Sequence, residues 1–273
     1  MSGFISGSVL APAAIGAGYA LSKVLALRWL WPDLLEYQDF RFLFLSGILL
    51  GYTLRPVLQR IYWKYSTGAF AVGLLLLGLG TPGKIPELLL TDIPLQEWLS
   101  QSARLDLAPI LVTALLSPLL IPSFQKMISR QVLLSQLKAI FFNKSGILKI
   151  IVAVVFYQAL FFMIYGIYYW DEWASASRPS FLSPHLPLVS QLTLIGCRGL
   201  TILIAFMPVL SMITSQNRWK VTLVCTSLLF VIADFIPTFS QISGISPVLL
   251  FDELILRLFL DIIFCYGVAV LFV

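Results

Sequence analysis

Charge is scarce in this sequence: Lys, Arg, Asp and Glu make up 11% of its 273 residues, against 59% hydrophobic ones. A soluble domain carries about 25% charged and about 45–50% apolar residues. A chain this poor in charge cannot cover a water-facing surface, which excludes a soluble globular fold and leaves an integral membrane protein. Histidine is scarcer still, with His185 alone. A metal centre draws three or four converging ligands, so one imidazole among scattered carboxylates argues against one. A Ser/His/Asp hydrolase would rest on His185 and Ser183 just before it, and the stretch around them, Trp170 to Pro187, reads as a solvated loop. The three cysteines, Cys197, Cys225 and Cys265, fall inside apolar runs instead of loops, as small apolar fillers do and disulfide partners do not. There is no GxxxxGK[ST], no HExxH, no CxxC pair, no internal repeat and no lipidation motif. The opening MSGFISGSVLAPAAIGAGYAL lacks a basic amino-terminal region and reads as a first span or signal anchor, not a cleaved leader.

Long apolar runs are what the sequence has. Eight are bounded by charges, Pro or Trp: about 4–22, 42–62, 66–82, 106–123, 148–170, 187–212, 220–238 and 251–273. They are continuous, not alternating, and longer than a transmembrane strand needs. The fold class expected is all-α, a polytopic transmembrane helical bundle forming one integral membrane domain over residues 1–273. Trp29, Trp31, Trp63, Trp98, Trp170, Trp173 and Trp219 lie at or near the ends of the runs, where an amphipathic ring favours the headgroup level. Gly and Ala gather in AIGAG (Ala14 to Gly18), in GLLLLGLG (Gly73 to Gly80) and around Gly196 and Gly199, as close helix packing in lipid requires.

The net charge of +5 resides in short connections, which is what membrane orientation requires and gives no support to nucleic-acid binding. Residues 125–149 hold Lys126, Arg130, Lys138, Lys144 and Lys149 with no acid, and 213–220 hold Arg218 and Lys220; both are expected on the cytoplasmic side. Residues 83–106 and 171–186 hold Glu87, Asp92, Glu97, Asp106, Asp171 and Glu172 against Lys84, Arg104 and Arg178, and are expected outside. Lys23, Arg28 and Arg41 after the first run oppose that alternation. Eight spans with both termini cytoplasmic place Arg55, Arg60 and Lys64 inside. A re-entrant 42–54, interrupted at Arg55-Pro56, would leave seven.

Within the runs, four charges stand where hydrocarbon is expected: Arg198, Asp234, Arg257 and Asp261. An unpaired charge at the bilayer centre costs about 2.5–3.5 kcal/mol on insertion scales, so such groups face the bundle interior and find partners. Glu253, Arg257 and Asp261 are spaced four apart and share one helix face, while Asp252 and Glu253 stay at the outer interface. At 1.5 Å per residue, Arg257 lies roughly 9 Å and Asp261 roughly 15 Å below the outer boundary, with Arg198 roughly 15 Å down and Asp234 at a depth similar to Arg257. Depth therefore pairs Arg198 with Asp261 and Asp234 with Arg257, a neutral set with no carboxylate left over. It serves either as a polar path for an ion, a proton or a polar substrate, or as a dry network that docks the last three spans. Pro208 and Pro237 nearby free backbone carbonyls, as in the discontinuous helices of transporters.

The segment Ser123 to Leu148 mixes Met127, Val132, Leu134, Leu137 and Phe141 with Lys126, Arg130, Lys138 and Lys144. This is the pattern of an interfacial helix, over about 124–146, on anionic headgroups, or of a docking element for a cytoplasmic partner. A lipid-modifying enzyme would set Asp252, Glu253 and Asp171 beside phosphate-holding cations at the outer surface, and no such cation accompanies them. The leading expectation is a non-enzymatic transporter or permease-like protein of a bacterial inner membrane, centred on Arg198, Asp234, Arg257 and Asp261. The alternative is a membrane subunit or scaffold of a larger complex. Composition names no cofactor: the 14% aromatic content suits a pigment or an acyl chain as well as a lipid-facing surface.

Overall fold

The computed structural model describes residues 2–30, 40–60, 65–89, 104–121, 130–168, 187–213, 217–239 and 247–273, and among them there is no strand. Nine helices organise the described residues: α1 (Ser2–Leu30), α2 (Phe40–Arg60), α3 (Tyr65–Leu79), α4 (Arg104–Leu120), α5 (Arg130–Phe141), α6 (Lys144–Tyr168), α7 (Leu188–Ile213), α8 (from Arg218–Leu229) and α9 (Pro247–Phe272). A 3-10 turn (Thr81–Lys84) and a single helical turn (Ile85–Leu88) follow α3, while α8 continues through a π turn (Phe230–Phe235) into Ile236–Phe239. The fold is all-α, and a helix occupies each of the eight apolar runs.

Five helices are long and apolar enough to cross a membrane, over Leu10–Trp29, Arg41–Gln59, Lys144–Ile164, Leu188–Ser211 and Leu254–Phe272. The first of these stretches lies further along the chain than the run at 4–22. The helices α3 and α4 are apolar but have 15 and 17 residues. At 1.5 Å per residue α3 reaches roughly 22 Å, short of a hydrocarbon core of about 30 Å. The interruption expected at Arg55-Pro56 for a re-entrant 42–54 is absent from α2, which runs as one helix through Pro56.

The distribution of polarity is inverted relative to a water-soluble protein. Arg198 is 1% exposed, while on α4 Leu107, Leu111, Leu115 and Leu119, four apart and therefore on one face, are 42–62% exposed. Such an apolar outer stripe needs lipid or protein against it. Hydroxyls along the helices are satisfied by their own backbone: Thr53, Ser117, Thr193, Thr201, Thr222 and Ser227 each donate to the carbonyl four residues earlier, so they can occupy an apolar medium at low cost.

Neighbouring helices follow one another round the molecule: α2 packs on α1, α1 on α4, α4 on α3, α3 on α7, α7 on α6, α6 on α9, α9 on α8, and α8 on α2 again. Glycine sets the closest approaches. A Cβ at Gly16 of α1 would lie 2.6 Å from the Ile48 amide nitrogen, and one at Gly47 of α2 would lie 2.6 Å from the Gly16 Cα. These two backbones meet where neither residue has a side chain, the packing that small residues permit in lipid. Between α6 and α7, the Gln158 amide donates to the Leu192 carbonyl at 2.7 Å.

The basic connections converge on one end. Phe272, at the foot of α9, stacks on Phe141 of α5 at 5.0 Å, and Lys149 lies 5.8 Å over the same ring. Trp219 at the start of α8 meets Tyr266 at 4.9 Å. The helix expected over 124–146 is broken: α5 covers Arg130–Phe141, and Asn143 opens α6 by accepting from the Gly146 amide at 2.5 Å. Within α5, Leu134 and Lys138 are exposed and Phe141 is buried; Lys144, at the start of α6, is also exposed. Lys126 lies outside the described residues, as does the side chain of Arg130.

Candidate functional site

The short reach of α3 positions the site. Its last residues, Gly78 and Leu79, end beside Arg198, ten residues into α7 and so roughly 15 Å from that helix's start. Carbonyls at a helix C-terminus have no partner within the helix, and here they are buried. The Arg198 guanidinium supplies donors, to the Gly78 carbonyl at 2.8 Å and to the Leu79 carbonyl at 3.1 Å. A cation there also complements the negative end of the helix dipole. Two glycines make room. A Cβ at Gly78 would lie 2.6 Å from the Ala205 Cβ of α7, and one at Gly83 would collide with the Gly78 carbonyl and lie 2.8 Å from Arg198 Nη1. The 3-10 turn therefore folds back over the end of α3 and carries Lys84 toward α8.

The π turn in α8 holds Asp234. Pro237, three residues later, has no N–H to return to the carbonyl of Ala233, and its ring crowds that carbonyl; the wide turn accommodates the conflict. Wide turns of this kind occur often at functional sites. Asp234 is 6% exposed. Its Oδ1 accepts from Arg257 at 2.7 Å and faces the Lys84 ammonium at 3.4 Å. The Asp234–Arg257 pair is thus present, with a cation added that the sequence placed in an outer loop.

The expected pair of Arg198 with Asp261 does not form: Arg198 is engaged by the end of α3. Asp261 is 3% exposed, its Oδ2 is buried without a hydrogen-bond partner among the described residues, and it stands one turn beyond Arg257, the partner of Asp234. Depth arithmetic could not find this arrangement, because it treats each charge as available to another side chain and leaves out backbone carbonyls at a helix end. A signal was present nonetheless. The apolar run at 66–82 is short, and GLLLLGLG followed by TPGK marks a helix interrupted by glycine and proline, beyond which the chain continues through a 3-10 turn.

All four intramembrane charges border one partly open cavity of about 30 Å³, lined also by Tyr157, Phe161, Ile202, Leu229, Ala233 and Leu260. That volume holds one or two water-sized bodies. The remaining site candidates are not part of it as described. Asp252 and Glu253 lie in the first turns of α9 with side chains outside the description, while Asp171, Glu172, Ser183 and His185 fall outside the described residues.

A second buried ion pair was not anticipated. Lys23 of α1 meets Asp106 of α4 at 3.0 Å, with side chains 11% and 17% exposed, and Tyr19, one turn earlier on α1, is buried as well. The sequence reading ended the first run at 22 and assigned both charges to connections. Because α1 continues to Leu30 and α4 starts at Arg104, they lie within helices instead. Of the cysteines, Cys225 and Cys265 are buried and Cys197 is exposed, all with free thiols.

No protein-family model matches this sequence, and no curated protein and no solved structure matches it either.

Proposed function

We propose that this protein is a transporter- or permease-like protein of a bacterial inner membrane, with eight spans and both termini cytoplasmic, passing an ion or a small polar substrate through the chamber between α6, α7, α8 and α9. The observation that carries the reading is the cavity bordered by Arg198, Asp234, Arg257 and Asp261, at a point where α3 stops and α8 widens into a π turn. A dry docking network would close over its charges, whereas these border open space and leave one carboxyl oxygen without a donor. Interrupted helices that meet charged groups at mid-height are the usual construction of a transport site. The common end shared by α5, the start of α6, the start of α8 and the foot of α9 is the cytoplasmic one in this reading, since it gathers Lys138, Lys144, Lys149, Arg218 and Lys220. Asp106 beside Lys23 offsets a positive charge on the outer side, easing the conflict in the amino-terminal third. The helix α5, with Lys138 exposed, rests on anionic headgroups or receives a cytoplasmic partner.

The test is aqueous access to the chamber. Ala233 lines it and is 1% exposed. In a chain whose native cysteines are replaced by Ser, Ala233→Cys is expected to react with a small charged methanethiosulfonate in native membranes. Failure to react from either side, with Asn217→Cys at the exposed start of α8 reacting normally, would establish a closed network and favour the scaffold or complex-subunit alternative.

A further inference from the structure

The chamber contains a second carboxyl group, that of Asp261, which stands outside the ion pairs described for Asp234. On α8, Asp234 has Arg257 and Lys84 on the same oxygen, Oδ1. Asp261, one turn after Arg257 on α9, is 3% exposed, has Oδ2 buried without a donor among the described residues, and borders the cavity. Asp234 borders the same cavity, and its partner Arg257 stands one turn before Asp261 on α9. An ionised carboxylate only accepts hydrogen bonds; a protonated one also donates. Two carboxyl groups can therefore join in a hydrogen bond only when one carries a proton. Asp234 is the anion of the pair, because both cations lie against it. Sharing one proton is how adjacent carboxyl groups avoid the repulsion of two ionised ones.

We infer that Asp261 is a proton-binding site, donating to Asp234 when loaded and releasing its proton to water in the adjoining cavity when unloaded. The O–H bond of Asp261 breaks, its electron pair stays on the carboxylate, and the proton leaves on water; no other reactant is needed. The charge left behind has a partner within reach. Arg257 lies four residues before Asp261 on the same face, so its guanidinium can turn from Asp234 to Asp261 while Lys84 stays with Asp234. The contact between α8 and α9 then differs in the two states, as a proton-driven cycle requires. The titratable and charged groups around Asp261 that set this balance are Asp234 from α8, Arg257 from α9, Arg198 from α7 and Tyr157 from α6, which border the same cavity, with Cys265 one turn further along α9 and Lys84 of the 3-10 turn against Asp234. The chemistry stands on these residues alone; its use in moving a substrate rests on the transport reading above.

The experiment is infrared difference spectroscopy of the purified full-length chain in lipid nanodiscs, titrated from acid to alkaline pH. The expected result is a carboxylic C=O band from a buried group that disappears as pH rises, is lost in Asp261→Asn and is shifted in Asp261→Glu. Asn keeps the neutral shape of the loaded acid and is expected to remain monodisperse. If it does not, the shift in Asp261→Glu still assigns the band. Absence of a titrating band in the wild type, or a band unaltered in both variants, would overturn the inference. A band that behaves as expected in a protein whose Ala233→Cys is inert would keep the proton site and remove the transport reading, so the two can fail separately.

Discussion

Arg198 shows how one side chain can answer to backbone instead of to an opposite charge. Its 1% exposure would be costly for an uncompensated cation, and the compensation comes from two carbonyls and the dipole at the end of α3. Replacement by Ala leaves both carbonyls buried without donors, at about 1–3 kcal/mol each. A clear fall in the thermal unfolding midpoint of the purified protein is expected for Arg198→Ala. Exchanging the charges, with Arg198→Asp and Asp261→Arg in one chain, separates the two arrangements. A side-chain pair would be restored by the exchange, whereas a carboxylate facing carbonyls is repelled, so no recovery of folding is expected. The sequence named both residues and their depth, yet not this partner: a charge inside an apolar run is visible in any sequence, but the end of another helix arriving beside it depends on packing.

At the level of elements, length and interruption matter more than hydropathy. The helices α6, α7 and α9 were legible to within four residues at each end, because an apolar stretch of span length between charges leaves little choice. The interruptions were less legible. Pro237 was visible as a breaker, but that α8 would answer with a π turn and so aim Asp234 at Arg257 depends on the neighbours that hold it. The junction of α3 with α7 is the most sensitive point of the site. Gly78→Val is expected to push α3 away from Ala205, draw the two carbonyls off Arg198 and cost about 1–3 kcal/mol through overpacking, measured as a lowered unfolding midpoint. It is also expected to change the reactivity of Ala233→Cys, since Arg198, which lines the chamber, is held by the end of α3. An unaltered midpoint and reactivity would show that the end of α3 does not position Arg198. Of the interfacial helix expected over 124–146, residues 124–129 lie outside the described residues, and the remainder is α5, a break and the start of α6, because Asn143 caps a helix start within the same basic stretch.

Across the whole molecule, the order of helices round the bundle brings the basic ends together, which is what the proposed orientation rests on. Under that proposal, Asn143→Cys and Asn217→Cys in a chain freed of native cysteines are expected to react with a membrane-impermeant maleimide only after the membrane is opened. Pro187→Cys, at the exposed start of α7, is expected to react in intact cells. The opposite pattern would invert the orientation, and all three on one side would break the span count.

Composition and the positions of apolar runs decided, before any folding was considered, that this chain makes helices, that those helices need lipid outside them, and that Arg198, Asp234, Arg257 and Asp261 have to face inward. These follow from single-residue transfer energies and the 1.5 Å rise of a helix, which are local properties. Which charge meets which group was decided only in three dimensions. Arg198 went to the end of α3, Lys84 came in from a turn, Lys23 found Asp106 on α4, and Asp261 was left with a carboxyl neighbour. Hydrogen-bond partners depend on distances of a few ångströms between elements far apart in the chain, and those distances are set by how the helices pack.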